Sequence, residues 1–265
     1  MPISLTRHYR TIWISDTHLG TRGCKADLLL DFLRSTESDK LYLVGDIIDG
    51  WRLKKNWYWP QAHSTLVQKV LRKSRKGTEV IFIPGNHDEF LRDFINLEFG
   101  SIIIKDHDFH TLLDGRKLLV IHGDIYDVVL HHARWLVYIG DSAYVMALRF
   151  NTWLNHWRQR FGLPYWSLSA LLKNKVKKAV NIIGDFEQFL VEAARRHGTD
   201  GVVCGHIHHA QMKQVGEILY CNDGDWVESC TALVEHYDGT LEILYWAKER
   251  ENYDLFGYPD ADSTD

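Results

Sequence analysis

The chain has 265 residues, 45% of them hydrophobic, which is enough for a large core and excludes global disorder. Its 31 basic and 35 acidic residues leave a formal charge of −4, which gives no reason to expect nucleic acid as a partner. The four cysteines form no C-x-x-C pair, the opening MPISLTRHYRTIWISD lacks a secretion-signal core, and no stretch reaches the roughly 18 uncharged apolar residues of a membrane span. A protein of the cytosol, or one lying on a membrane surface, is expected.

TIWIS at 11–15 reads as a buried strand that runs into Asp16-Thr17-His18. ADLLLDFLRS at 26–35 repeats its apolar residues at helical spacing. LYLV at 41–44 is a second strand, ending in Gly45-Asp46, and HSTLVQKVLRKSRKG at 63–77 predicts a helix that stops at Gly77. VIFIP at 80–84 delivers Gly85-Asn86-His87-Asp88, and LLVI at 118–121 delivers His122-Gly123-Asp124. From 125 to 198 the pattern turns helical, with candidates around 130–160 and 168–197 broken by Gly162 and Pro164. VVC at 202–204 then leads into Gly205-His206-Ile207-His208-His209. EILYCN at 217–222, ALVEHY at 232–237 and TLEILYW at 240–246 complete the strands, the last two joined by a hairpin at Asp238-Gly239. The stretch 249–265 reads as an acidic, loop-like tail. Together these predict an α/β layered fold, with a core over 1–124 and 199–248 and a helical insertion at 125–198. In such folds ligands gather at the carboxyl ends of the strands, where every polar cluster here sits.

Asp16, His18, Asp46, Asn86, His122, His206 and His208 place two carboxylates, one amide and four imidazoles at those ends. Any one of the 15 histidines is more often a surface or hydrogen-bonded core residue than a ligand. Five separate clusters, each closing an apolar run, argue for metal instead. Oxygen and nitrogen donors without thiolate suit Mn²⁺, Fe or Zn²⁺. Seven donors are too many for one four-coordinate ion and suit two, with Asp46 as the bridging carboxylate. Residues two apart on extended backbone point to one side, which pairs Asp16 with His18 and His206 with His208. Gly45, Gly85 and Gly205 each precede a ligand and predict sharp backbone turns beside the metals.

The motifs D-x-H, G-D-x-x-D, G-N-H-D, H-G-D and G-H-x-H stand here as Asp16-Thr17-His18, Gly45-Asp46-Ile47-Ile48-Asp49, Gly85-Asn86-His87-Asp88, His122-Gly123-Asp124 and Gly205-His206-Ile207-His208. In this order, over about 11–246, they resemble the calcineurin-like metallophosphoesterases. The resemblance implies a four-layer αββα metallophosphoesterase sandwich. It implies that Asp16, His18, Asp46 and His208 hold one divalent ion and Asp46, Asn86, His122 and His206 the other. His87 then stabilises the charged transition state or protonates the leaving group. Asp88 either orients the His87 imidazole or serves a local turn or helix N-cap.

The insertion bears on the substrate. From Val128 to Gly184 there are eight basic residues against Asp141 alone, a net of +7, which leaves −11 on the rest of the chain. Trp135, Trp153, Trp157 and Trp166 lie in the same stretch. A basic, aromatic, helical cap fits an anionic amphiphile or a membrane surface. The alternatives are aromatics packed on the core beneath a solvated basic face, or a homodimer contact. The cap, with Gly45 to Trp51 and Asn222-Asp223-Gly224-Asp225-Trp226, resembles the UDP-2,3-diacylglucosamine pyrophosphatases of lipid A synthesis. That resemblance implies an anionic lipid-linked nucleotide sugar as substrate, Mn²⁺ as cofactor, and a cytoplasmic, peripheral place at the inner membrane face. It also implies substrate contacts from lysines in the second half of the cap, here Lys175 and Lys178. One departure stands out: those enzymes carry arginine after the metal-binding asparagine, where this chain has His87. A phosphodiesterase or phosphatase acting on another nucleotide or phospholipid is the alternative reading.

Overall fold

The computed structural model of the chain describes residues 6–125 and 183–255. Contacts divide the chain into one unit of Met1–Asp124 with Val191–Asp265 and a second of Ile125–Leu190. Most of the predicted insertion, including Lys175, Lys178 and the four cap tryptophans, lies outside the described residues.

Two sheets build the first unit. The larger joins β1 (Arg7–Ile14), β2 (Thr36–Val44), β3 (Glu79–Ile83), β4 (Glu98–Phe99), β5 (Ile102–Ile104), β11 (Thr231–Glu235) and β12 (Leu241–Tyr245) in the order β12-β11-β1-β2-β3-β5-β4. Its central strands β1, β2, β3 and β5 run parallel, and β11, β12 and β4 add antiparallel edges. The smaller sheet joins β6 (Asp108–Thr111), β7 (Lys117–Val120), β8 (Gly201–Cys204), β9 (Gln211–Val215) and β10 (Ile218–Asn222) in the order β6-β7-β8-β10-β9.

Successive buried side chains of the central strands alternate between two covered faces. Ile12, Leu41, Leu43, Val80, Phe82 and Val234 pack with Leu29, Phe32 and Leu33 of α1 (Ala26–Ser35) and Leu66 and Val70 of α3 (Gln61–Arg75). Their neighbours Trp13, Tyr42, Val44, Ile81, Ile83 and Leu233 pack with Leu118, Val120, Val203 and Leu219 of the smaller sheet. Parallel strands covered on both faces need such continuous apolar runs, which is why these strands are visible as runs in the sequence. On the smaller sheet's strands Leu119, Val202 and Tyr220 are also buried, as are Val191, Ala193 and Ala194 on the helix over 183–196.

Three features depart from expectation. β1 begins at Arg7, because its polar first half pairs with Thr36–Ser38 of β2 while Arg7 reaches Glu249 and Arg10 reaches Glu235 at 2.5 Å. The strands β4, β5, β6 and β9 are additional: β4, β6 and β9 are short or half-exposed edge strands without an apolar run, and β5, between β3 and β4, is a run of only three isoleucines. The acidic tail does not start as a loop. A helix spans Trp246–Leu255, anchored by buried Trp246, whose indole donates to Asp31 at 2.9 Å, and by Arg250 at 3.3 Å from the same carboxylate.

Candidate metal centre

Each predicted donor sits in a loop just past a strand of the first unit. Asp16 and His18 follow β1, Asp46 follows β2, Asn86 follows β3, His122 follows β7, and His206 and His208 follow β8. Backbone hydrogen bonds lash the loops together: Asp16 N donates to Gly45 O at 3.0 Å and His18 N to Asp46 O at 2.9 Å. The His206 N–H donates to Asp16 Oδ2 at 2.7 Å and the His87 N–H to Asp46 Oδ1 at 2.8 Å.

The donors are not on extended backbone. Asp16, His18, Asp46, His206 and His208 have φ between 50° and 72°, the left-handed region that side chains with a Cβ rarely adopt. The pairing expected from extended geometry therefore holds for Asp16 with His18 but fails for His206 with His208. Two clusters form instead, Asp16 with His18 and His208, and Asp46 with His122 and His206. Gly85 also has a reason other than a turn. Its φ is not positive, but a Cβ there would collide with Asp46 Oδ1 and the His122 ring.

Within the clusters, nitrogen faces nitrogen. His18 Nε2 lies 3.4 Å from His208 Nε2, and His206 Nδ1 lies 3.2 Å from His122 Nε2. His122 donates its Nδ1–H to Val44 O at 2.8 Å, so Nε2 is the atom aimed at the cluster. A ring whose far nitrogen is fixed by a carbonyl is how metal-binding histidines are oriented. Asp46 lies between the clusters, with Oδ1 3.5 Å from His122 Nε2 and Oδ2 3.9 Å from His18 Nε2. Asn86 is half-buried in the chain between Gly85 and His87, both of which abut Asp46.

The electrostatics call for positive charge. Burial works against the Asp16 carboxylate, but the His208 imidazole beside it holds it well below the usual carboxylate range. Burial likewise opposes the charge on Asp46, and His122 more than offsets this. Burial disfavours a charged His122, yet the adjoining Asp46 pushes its pKa up to about 10. The added proton occupies Nε2, the position a divalent ion takes on binding. The donor set, tautomer and charge therefore fit two divalent ions.

His87 stands beside the clusters, and the carboxylate next to its ring is that of Asp49 rather than Asp88. His87 Nδ1 lies 3.1 Å from Asp49 Oδ1, and His18 Nδ1 lies 3.4 Å from Asp49 Oδ2. Burial opposes the charge on Asp49, but these two imidazoles outweigh it and keep its carboxylate well below the ordinary range. The His87 ring is wedged between His18, 4.7 Å away and perpendicular, and Trp51 at 4.4 Å. Asp88 is fully buried and turns away. Its carboxylate accepts from Gly85 N at 2.6 Å and Ile47 N at 2.8 Å, with longer contacts to the N–H groups of Asp46 and Ile48. It staples the β2 and β3 loops together, and its side chain caps no helix.

Two further residues support the centre, Ser15 at the end of the first apolar run and Asp223 of the Asn222-Asp223-Gly224-Asp225-Trp226 stretch. Ser15 Oγ lies 2.6 Å from both Asp16 Oδ2 and Asp223 Oδ1. One hydroxyl hydrogen cannot serve two acceptors, so one carboxyl must itself carry a proton. Complete burial, reinforced by the charge of Asp16, raises the Asp223 pKa, which makes it the carboxyl more easily protonated.

Known proteins are similar to this chain in sequence. The calcineurin-like phosphoesterase family matches residues 9–210. UDP-2,3-diacylglucosamine hydrolase of Haemophilus influenzae (strain ATCC 51907) is 26% identical over 241 residues, covering 84% of this chain and 93% of that protein. The protein of the same name from Aliivibrio fischeri is 27% identical over 245 residues, covering 86% and 94%. That of Neisseria meningitidis serogroup B is 24% identical over 224 residues, covering 81% and 88%. With donors for divalent ions at the strand ends of two sheets and a family match over most of its length, the chain belongs to the calcineurin-like phosphoesterases and is a metal-dependent hydrolase.

Proposed function

We propose that this hydrolase cleaves the pyrophosphate of UDP-2,3-diacylglucosamine, or of a lipid-linked nucleotide sugar of that type, to UMP and a lipid monophosphate. The supporting observation is the gathering of the two donor clusters on either side of Asp46, in a chain similar along most of its length to hydrolases named for that substrate. Asp16, His18, Asp46 and His208 are assigned to one Mn²⁺, and Asp46, Asn86, His122 and His206 to the other. Such a pair of ions, when bound, polarises phosphoryl oxygens and lowers the pKa of water. Asp49 lies beside His87 Nδ1, and Nε2, 3.9 Å from Asp46 Oδ2, is the atom assigned to donate to the departing phosphate oxygen. Asp49 steadies His18 through the same carboxylate. Lys175 and Lys178 of the cap are the assigned contacts to the substrate phosphates, and the reaction is placed at the cytoplasmic membrane surface.

A second reading, cleavage of a different nucleotide or phospholipid ester, is favoured by His87. Histidine gives and takes a proton near neutral pH, whereas the arginine of the lipid pyrophosphatases supplies a fixed charge. The test is release of UMP from UDP-2,3-diacylglucosamine by the purified protein with Mn²⁺. No release with Mn²⁺, Fe²⁺ or Zn²⁺ rejects the substrate. His87→Arg compared with His87→Ala separates the two readings: recovery by arginine supports the lipid pyrophosphate, and no recovery supports the second.

A further inference from the structure

The connection leading out of the metal centre has a surface that catalysis does not use. The short helix α2 (Gly50–Lys55) begins one residue after Asp49, and α3 follows it through Asn56-Trp57-Tyr58-Trp59-Pro60. This connection is firmly seated. The Trp59 indole donates to Ser64 Oγ at 3.1 Å, and its ring stands perpendicular to buried His63 at 5.4 Å. His63 in turn accepts from Gly20 N at 3.1 Å, and Arg22 caps the Tyr58 ring at 5.0 Å. On that seat Trp57 is held outward with 74% of its surface exposed, its ring against Trp59. Trp51, nearer the centre, is 39% exposed.

The connection and the loop before α1 carry five exposed cations, Arg22, Lys25, Arg52, Lys54 and Lys55, of which Arg22 lies on the Tyr58 ring, while the Trp51 indole donates to Glu89 at 3.1 Å. Neither 20–25 nor 50–63 contains an acid, although the chain as a whole carries −4. No described residue forms an ion pair with any of the five. Exposed indoles on a connection that carries lysine and arginine match the interface of a bilayer, where the ring sits at headgroup level and the cations meet anionic lipid. We infer that the α2–α3 connection docks the protein on an anionic bilayer and so sets the metal centre at headgroup depth. The purpose of this docking rests on the lipid substrate proposed above, but the docking itself can be measured without any substrate.

The experiment is flotation of the full chain with vesicles of phosphatidylcholine, alone or mixed with phosphatidylglycerol. The wild type is expected to float with the anionic vesicles only, and less as salt rises. Lys54→Gln/Lys55→Gln should weaken partitioning roughly 30-fold, and Trp57→Ala about tenfold, without changing the circular-dichroism melting curve. No flotation of the wild type overturns the inference. So does flotation that neither variant weakens, which would put the membrane contact elsewhere. A single-stranded oligonucleotide that binds the wild type, loses affinity in both variants and displaces the protein from vesicles also overturns it. Flotation without UMP release leaves the docking surface standing and removes only the substrate.

Discussion

Gly85→Ala is the sharpest test of the centre. A Cβ at this position lies 2.6 Å from His122 Nε2 and 2.7 Å from Asp46 N, and closer still to Asp46 Oδ1. Ordinary contact starts near 3.4 Å, so His122 or Asp46 must retreat by close to an ångström. Both belong to one donor cluster, and His122 is tied from behind to Val44 O. A misplacement of that size at a reacting centre costs on the order of 10²-fold in rate. Overpacking costs about 1–3 kcal/mol in stability, and at about 2–4 °C per kcal/mol the Tm should fall by several degrees. Gly77→Ala is the control. It meets no atom within 4 Å and suffers only from its φ of 103°, so it should lower Tm and leave the centre intact. Calorimetric Mn²⁺ titration of chelator-stripped protein, with hydrolysis of bis(p-nitrophenyl) phosphate, separates the two. Gly85→Ala should lose at least 100-fold in Mn²⁺ affinity and in rate. If Gly85→Ala binds and turns over like the wild type, Gly85 does not stand against His122 and Asp46 as described.

Asp49→Asn should weaken Mn²⁺ binding about 10–100-fold through His18 and, at saturating Mn²⁺, lower kcat about 100-fold through His87. Adding His87→Ala should then change kcat little, because the two act as a unit. Asp223→Asn, which keeps shape and a donor, should leave Mn²⁺ affinity within a few-fold of wild type, whereas Asp223→Ala should lower it by about tenfold or more. Acid stability should be limited partly by Glu235, far from the centre. Burial opposes its charge, but contacts from His110 at 2.8 Å, Leu113 N at 2.9 Å and Arg10 at 2.5 Å outweigh it and hold its pKa below the ordinary value. A carboxylate with a lowered folded pKa contributes stability that is complete above its unfolded pKa and is lost as pH falls through the folded one. Glu235→Gln should therefore flatten the Tm–pH curve below the usual glutamate value.

The donors are legible because each closes an apolar run that had to be a buried strand. Sequence order alone then puts Asp16, Asp46, Asn86, His122 and His206 at one end of the sheets. What spacing does not reveal is ring placement. The choice of Asp49 over Asp88 as partner of His87 depends on which way two buried carboxylates turn, and Asp88 is captured by four backbone N–H groups that no motif announces. The separation of His206 from His208 depends on left-handed backbone, which histidine and aspartate enter more often than most residues but still in only a small minority of cases, so that residue type alone does not locate it. Edge strands such as β9, with its alternating half-exposed QMKQV, and the helix over Trp246–Leu255, of mostly polar residues, offer no apolar run to read.

The five left-handed donors also bear on how such a protein changes under selection. Each costs about 1–3 kcal/mol of conformational ease, and together they make the loops of the centre the least relaxed backbone described in the chain. Glycine or asparagine would relax every one of them and abolish the chemistry. A population of variants screened for heat resistance alone should therefore discard its donors before its core, and collect glycine and asparagine at Asp16, His18, Asp46, His206 and His208. Deep sequencing of such a screen, run without any demand for turnover, would show the active site as a deliberate weak point that only function keeps in place.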